Sequence, residues 1–281
     1  MRKVKRAPSR GRIALFSSFL FGSLFPFSFL VFGASGAKGK FRIVIDAGHG
    51  GKDSGAVGWR RLREKDVNLK AALALAKRLR RSGLFEVKLT RGGDEFIPLA
   101  GRCEISNDWK ADLFVSIHAN SSSDRRDSGY EVYFLSEKAS DPEAARLALI
   151  ENQGVRDAPP PGFDRDKALA SSILGTMART ERINLSSELA AGMVRRLKKA
   201  VGRLVPDRGV KQAELYVLHW TDAPAVLVEM GFVTNKRDAS KLRSSGFRDK
   251  LVKALDDEIE KYAKETLRSP RRLASGGAPF Q

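Results

Sequence analysis

The chain has 281 residues, of which 42% are hydrophobic, enough for one sizeable α/β domain with additional terminal segments. Its formal net charge of +18 favours polyanionic partners, but it has no zinc-finger spacing, RNA-binding aromatic signature or basic helix joined to a dimerisation heptad, so nucleic-acid binding is not expected. The single cysteine, Cys103, excludes an internal disulfide and is predicted to fill a helix core.

The first 37 residues have the pattern of a secretory signal peptide. A basic start without acidic residues leads into an apolar stretch from Ile13 to Phe32, and the small residues 33–37 follow. We therefore predict cleavage after Ala37 and export to the periplasm or cell envelope. An uncleaved membrane anchor is the alternative, because a stretch of about 20 residues can span a bilayer. Membrane contact is expected only through this leader.

Strands and helices alternate along the next hundred residues. Apolar runs predict strands, and apolar residues at helical spacing predict helices. In chain order they are a strand at 41–46, a helix at 64–80, a strand at 85–90, a helix at 99–109 and strands at 112–117 and 129–135. This alternation predicts an α/β fold: a single domain with a mixed β-sheet flanked by helices.

Residues 141–202 interrupt the alternation and are predicted to be a helical insertion between the late strands. Helical patterns at 142–152, 167–179 and 184–200 surround a proline-rich loop at 157–162. The later elements are predicted strands at 213–218 and 225–230 and a last helix at about 246–264. We expect residues 38–266 to form one domain and residues 267–281 to form a disordered tail.

Four polar residues lie at the ends of predicted strands or at a helix start, where ligands gather in α/β folds. Two imidazoles and one carboxylate, from His49, Glu64 and His118, are the ligand set of a catalytic zinc site that leaves one position for water. Bound zinc acidifies water, and a nearby carboxylate such as Glu229 can move the proton. Together these groups suit amide hydrolysis.

Each of these residues also has an ordinary structural interpretation. A lone histidine after a strand is more often a hydrogen-bonded structural residue than a ligand, and Glu64 also fits a helix-start acid favoured by the helix dipole. Glu229 is harder to explain in this way. It follows an apolar run in a strand that reads as buried, where a carboxylate normally has a partner.

Four sequence blocks in the same order resemble the zinc-dependent N-acetylmuramoyl-L-alanine amidase family of cell-wall hydrolases. They are IVIDAGHGG at 43–51, EKD at 64–66, SIHAN at 116–120 and PAVLVEMGF at 224–232. The resemblance covers about residues 41–264. It implies that His49, Glu64 and His118 bind one Zn²⁺ per chain and that Glu229 is catalytic. The implied reaction cleaves the amide between N-acetylmuramic acid and L-alanine in peptidoglycan, for daughter-cell separation and wall remodelling.

The segment 141–202 resembles the helical insertion of the cell-separation amidases of Gram-negative bacteria. The resemblance implies autoinhibition, in which the insertion covers the active site and one of its glutamates takes the open zinc position. It also implies an activator protein with a degenerate LytM-type peptidase domain, which moves the insertion away. Glu151 matches the inhibitory glutamate, and a solvated helix acid is the alternative for this residue.

Three more residues are candidates for supporting roles. Asp46 and Asn120 are predicted to orient the metal ligands, with ordinary loop hydrogen bonding as the alternative. His219 stands where the relatives often have arginine, and it is either a substrate contact or a surface residue.

Two other functions remain open from the sequence. The first is a catalytically silent, zinc-containing module that binds the wall or regulates other proteins, although the intact Glu229 speaks against it. The second is a basic protein that binds nucleic acid or a membrane surface, for which the leader, the tail and the charge are the only support.

Overall fold

The computed structural model describes residues 39–153 and 172–268 of the chain. The predicted leader at 1–37, the proline-rich loop at 157–162 and the predicted tail from residue 269 onward lie outside these described residues. Within the described part, six strands form one sheet: β1 (Phe41–Ala47), β2 (Phe85–Leu89), β3 (Leu113–His118), β4 (Tyr130–Leu135), β5 (Asp207–Ala213) and β6 (Ala225–Glu229).

The sheet is mixed, with the strand order β2-β1-β3-β6-β4-β5. Strands β2, β1, β3 and β6 are parallel to one another, whereas β4 runs antiparallel to β6, and β5 is parallel to β4. The carboxyl ends of β1, β3 and β6 therefore meet at one end of the sheet, beside the start of β4. This topology confirms the predicted α/β fold with a mixed sheet flanked by helices.

Helices cover both faces of this sheet. The α-helices of the described part are α1 (Glu64–Arg81), α2 (Leu99–Asp108), α3 (Pro142–Glu151), α4 (Ser172–Val201), α5 (Tyr216–His219), α6 (Lys236–Arg243) and α7 (Ser245–Arg268). Helices α1, α4 and α7 pack on one face, and α2, α3 and α5 pack on the other, where Cys103 is fully buried. Among the described residues, no helix combines the length and hydropathy needed to cross a bilayer.

Burial on both faces explains the sequences of the inner strands. Strands β3 and β6 are buried at every position, and β1 is buried at all but one. Parallel strands covered by helices on both sides require nearly continuous apolar runs, as these strands have. The few charged residues in these runs, such as Asp46 and Glu229, are thereby placed inside the protein.

The strand predicted at 213–218 was wrong. The strand at this point is β5, which ends at Ala213, and the apolar residues that follow form the short helix α5. Tyr216, Val217 and Leu218 are buried in the core beside α2 and α3. A short apolar run does not distinguish a strand from a buried helical turn, and the polar edge strand β5 has no apolar signature.

Helix α4 covers two segments that were predicted as separate helices: the predicted helix at 184–200 and the described part of the one at 167–179. It runs without a break from Ser172 to Val201. Leu189, Met193 and Leu197 on its C-terminal half are buried in the main core, where the helix packs on α7, whereas Met177 near its start is exposed. The C-terminal half of α4 is therefore part of the core of the domain.

Helix α6 was not predicted from the sequence. Its eight residues are mostly polar, and only Ala239 and Leu242 contribute apolar contacts to the core. The side chain of Asn235 begins the helix by accepting hydrogen bonds from the backbone N–H groups of Arg237 and Asp238. Such a helix depends on its cap and on a small buried stripe, which a search for long apolar periodicity does not find.

Candidate metal centre

The loop after β1 positions His49. The chain turns through three successive residues with positive φ, His49 at 61°, Gly50 at 132° and Gly51 at 56°. This conformation is uncommon for residues other than glycine, so the surroundings of His49 must stabilise it. Gly48 lies against a second imidazole, since a Cβ on it would be 2.2 Å from Nε2 of His118. The ring centroids of His49 and His118 are 5.0 Å apart.

Glu64 is fixed by hydrogen bonds at the start of α1. Its Oε2 accepts a hydrogen bond from the backbone N–H of Ala56 at 3.0 Å. Its Oε1 accepts from the backbone N–H of Ala119 at 3.2 Å and from the side-chain amide of Asn68 at 3.3 Å. Glu64 is 3% exposed, so it points into the protein and is not a solvated helix-start acid.

Glu64 lies between the two histidines. Its Oε1 is 3.1 Å from His49 Nε2 and 3.1 Å from His118 Nδ1. Glu151, the last residue of α3, approaches the same point, with Oε2 3.2 Å from His118 Nδ1 and 3.5 Å from His49 Nε2. The four residues each offer one donor atom, and these atoms lie within 4.8 Å of one another. The cluster is consistent with a metal site.

The hydrogen bonding of His49 fits a metal ligand. Its Nδ1 lies 2.8 Å from Oδ2 of Asp53. Its Nε2 is buried and, although 3.1 Å from Oε1 of Glu64, forms no hydrogen bond with a described residue. A proton on Nδ1, donated to Asp53, would leave the lone pair of Nε2 directed at the cluster, as in metal sites where a carboxylate orients the histidine. Two imidazoles and carboxylate oxygens are zinc ligands. The residues present therefore fit a zinc ion.

Sequence reasoning missed Asp53, although a signal was available. Asp53 is the only acidic residue between His49 and Glu64 in the chain, and it lies in the glycine-rich loop that carries the first ligand. Its hydrogen bond with His49 lowers the pKa of the Asp53 carboxyl group, so the group stays ionised and able to accept the proton of Nδ1.

The electrostatics of the cluster favour a positive charge at its centre. Burial by itself would lower the pKa of His49, but the charge of Glu64 and the hydrogen bond to Asp53 outweigh burial and raise this pKa to about 11. Burial would raise the pKa of Glu64, yet His49 and His118 hold it well below its usual range. The carboxylates thus stabilise a cation here, whether that cation is a proton or a metal ion.

Glu229 lies beside the cluster at the end of β6, where it pairs in register with His118. It is fully buried, and neither of its carboxylate oxygens has a hydrogen-bond partner among the described residues. Burial, followed by the charges of Glu64 and Glu151, raises the pKa of Glu229 well above its usual value. An unpartnered buried carboxylate is unfavourable for stability, which points to a role in chemistry.

A second buried carboxylate at this end of the sheet was missed. Glu131 faces Glu229 across the antiparallel pair of β4 and β6. It accepts hydrogen bonds from Asn120 Nδ2 at 2.8 Å, Tyr133 Oη at 3.0 Å and Arg208 Nε at 3.2 Å. Glu131 is the only charged residue in the β4 sequence, so the argument that singled out Glu229 could also have found it.

The three supporting candidates have different surroundings. Asp46 is fully buried and accepts hydrogen bonds from the side chains of Thr90, Ser116 and Arg102, none of which is a metal ligand. Asn120 lines the cavity beside the cluster. The structure does not bring His219 to the cluster, because this residue lies 3.3 Å from Glu214, contacts the ring of Trp220 and is absent from the cavity lining.

A cavity of 630 Å³ opens beside the four donor atoms. Its walls include the segment 96–99, the segment 215–217 and the last residues of α3. Helix α3 contributes Leu147, Ile150 and Glu151, so this helix lies over the cluster as one wall of the cavity.

Comparisons with known proteins agree with this geometry. The N-acetylmuramoyl-L-alanine amidase family model matches residues 43–261. The chain is 35% identical to N-acetylmuramoyl-L-alanine amidase AmiA of Escherichia coli K12 over 82% of this chain and 78% of AmiA. It is 33% identical to AmiC of Escherichia coli O6:H1 over 82% of this chain and 54% of AmiC. The solved structure of AmiC2 from Nostoc punctiforme matches with a TM-score of 0.61 and 30% identity, over 80% of this chain and 98% of that one.

Proposed function

Because the chain belongs to the N-acetylmuramoyl-L-alanine amidase family and its substrate is peptidoglycan, we propose that His49, Glu64 and His118 hold one Zn²⁺ and that Glu229 is the acid–base group. The reaction is hydrolysis of the amide between N-acetylmuramic acid and L-alanine. The observation that carries the proposal is the convergence of these donor atoms beside a cavity and a buried carboxylate, which has no hydrogen-bond partner in the described part of the chain.

The chemistry divides between the metal and the protein. Zn²⁺ at this position would supply Lewis-acid polarisation of the substrate carbonyl and lower the pKa of a water molecule to about 7. Asp53 holds His49 with Nε2 directed at the cluster, and the backbone N–H groups of Ala56 and Ala119 hold Glu64. Glu229 accepts the proton of the attacking water and delivers it to the departing nitrogen of L-alanine.

Glu151 supports an autoinhibited resting state. As a fourth donor, its carboxylate would occupy the position that water or the substrate carbonyl needs. Its side chain is 11% exposed, so it is not a solvated helix acid in this structure. Glu151 also lies at the carboxyl end of α3, where the helix dipole disfavours an anion, and a cation in the cluster offsets this effect. We propose that α3 is a lid over the cavity.

Hydrogen bonds on both sides hold the lid closed. The side chain of Asn152 donates to the backbone oxygen of Glu214 and accepts from the backbone N–H of Tyr216, both at 2.8 Å. On the other side, Arg146 Nη2 donates to the backbone oxygen of Ser121 at 2.6 Å. Opening requires a partner with higher affinity for the open state, since a ligand shifts an equilibrium only through differential affinity. We propose an activator with a degenerate LytM-type peptidase domain as that partner.

Glu151→Ala is expected to raise the basal rate of wall hydrolysis by roughly tenfold or more. A tenfold increase corresponds to an activation barrier that is lower by about 1.4 kcal/mol. The substitution removes the fourth donor and leaves His49, Glu64 and His118 in place. The rate is measured on purified sacculi at equal zinc occupancy and without an activator. Glu265→Ala, which removes an exposed carboxylate from α7, is the matched control. Basal rates that agree within a factor of about two would reject autoinhibition and leave the amidase assignment intact.

The remaining expectations concern location and partners. We propose that the protein is exported and acts in the cell envelope, in daughter-cell separation and wall remodelling, with membrane contact only through its leader. Its excess of positive charge supports association with the carboxylate-bearing wall polymer, and nucleic acid is not a proposed partner.

Digestion of sacculi with and without a chelator tests the proposed activity. The expected products are intact stem peptides with a free N-terminal L-alanine, identified by mass. They should disappear with the chelator and return when zinc is added. Both the wild-type protein and Glu151→Ala are used, because the wild type is expected to have low basal activity.

Other outcomes of this digestion support the rival functions. Binding to sacculi without products, even for Glu151→Ala, would support the silent wall-binding module. Binding that depends on salt but not on metal would support the basic surface binder.

A further inference from the structure

Three buried cations surround the loop that carries His49. The side chains of Lys65, Arg91 and Arg102 come from α1, from the segment after β2 and from α2, and all three residues are buried. Together they donate hydrogen bonds to the backbone oxygens of residues 47, 48, 49 and 51. Side-chain donors thus satisfy the backbone oxygens at the end of β1 and in the loop that follows it.

Arg91 differs from the other two cations in its partners. Arg102 forms an ion pair with Asp46, and Lys65 forms one with Asp94. Every hydrogen bond that Arg91 makes among the described residues goes to a backbone oxygen. Burial and the charge of Arg102 lower the pKa of Arg91. A fold that needed only packing at this position would not require a buried ion.

The guanidinium of Arg91 joins the two segments that supply the first two donors. Its Nη2 donates at 2.9 Å to the backbone oxygen of Gly48, which precedes His49, and at 2.9 Å to that of Lys65, which follows Glu64. Its Nε donates to the backbone oxygen of Ala47 at 2.8 Å. A planar fork with fixed donor directions sets the spacing of these segments, which the point charge of a lysine cannot do.

We propose that Arg91 is a positioning residue that fixes His49 relative to Glu64 before the metal binds. This inference rests on the proposed metal site. It predicts that the arginine fork, and not just positive charge or bulk, determines the metal affinity of the cluster.

The test uses Arg91→Lys and Arg91→Met. Arg80→Lys is the matched control, because Arg80 also donates to a backbone oxygen, that of Val87, but on the surface. For each protein we would measure zinc affinity by competition with a chromogenic chelator, the visible spectrum of the cobalt-substituted site and the melting temperature without metal. Arg91→Lys should bind zinc roughly 10- to 100-fold more weakly and change the cobalt spectrum, as for other residues that orient metal ligands. Arg80→Lys should match the wild type in both.

Arg91→Met should weaken zinc binding at least as much, and if it does not fold, Arg91→Lys decides the question. Native affinity and a native cobalt spectrum in Arg91→Lys would overturn the inference, even with a lower melting temperature, because the residue would then serve only the fold. Failure of Arg91→Lys to fold would overturn it for the same reason. A wild-type protein that does not bind zinc would instead reject the proposed metal site itself.

Discussion

Glu229→Gln is expected to keep zinc at the wild-type level and to hydrolyse peptidoglycan roughly 10²- to 10⁴-fold more slowly. The amide has the shape of the carboxylate but cannot accept and return a proton. Glu229 is suited to proton transfer because it is fully buried, lies next to His118 in the sheet and has no hydrogen bond from either oxygen to a residue that the structure describes. Because it is not one of the clustered donors, its replacement should leave the metal bound.

Single-turnover digestion of sacculi and metal analysis of the same preparations measure this effect. The Glu151→Ala background makes the loss easier to see, because its basal rate is expected to be higher. Glu229→Asp, which retains a carboxylate, should be less impaired than Glu229→Gln. Hydrolysis at the native rate by Glu229→Gln would mean that the carboxylate is structural and that another group moves the proton.

His118→Ala is expected to lose both stoichiometric zinc and wall hydrolysis. The imidazole reaches the cluster from the end of β3, with Nδ1 3.1 Å from Glu64 Oε1. Its loss leaves His49 and Glu64 as the only two permanent donors, which is too few to hold zinc in a geometry that activates water. Glu151 would supply a third donor while the lid is closed, so the loss of zinc is measured in the Glu151→Ala background.

His219→Ala is the matched control for this prediction. The chain has three histidines, and His219 is the one outside the cluster, in contact with the ring of Trp220. Its replacement should leave zinc content unchanged and activity within a factor of about two. Metal analysis by mass spectrometry after dialysis, with circular dichroism to verify folding, compares the two variants. Full zinc occupancy and activity in His118→Ala would sink the ligand assignment.

The sequence by itself predicted five of the six strands, the family and the residues that meet at the cluster. His49, His118 and Glu229 follow or end strands whose apolar runs are unmistakable, and parallel strands bring their carboxyl ends to the same end of the sheet. Local patterns were sufficient because burial on both faces makes a strand continuously apolar, so that a charged residue in it stands out.

Patterns that depend on tertiary contacts were misread or missed. The apolar run at 213–218 contains a helical turn because α2 and α3 bury it, and the C-terminal half of α4 belongs to the core because α7 packs on it. Neither neighbour is close in the sequence. Periodicity shows that a residue is buried, but not which element buries it.

The residues that support the site were decided only by the tertiary structure. Glu131 faces Glu229 because β4 runs antiparallel to β6, and the register of two strands nearly 100 residues apart has no local signal. Arg91 reaches the His49 loop from a segment more than 40 residues away. Sequence identifies groups capable of chemistry by their type and their place on an element. Their orientation depends on hydrogen bonds to backbone atoms of distant segments, and any residue type can supply those atoms.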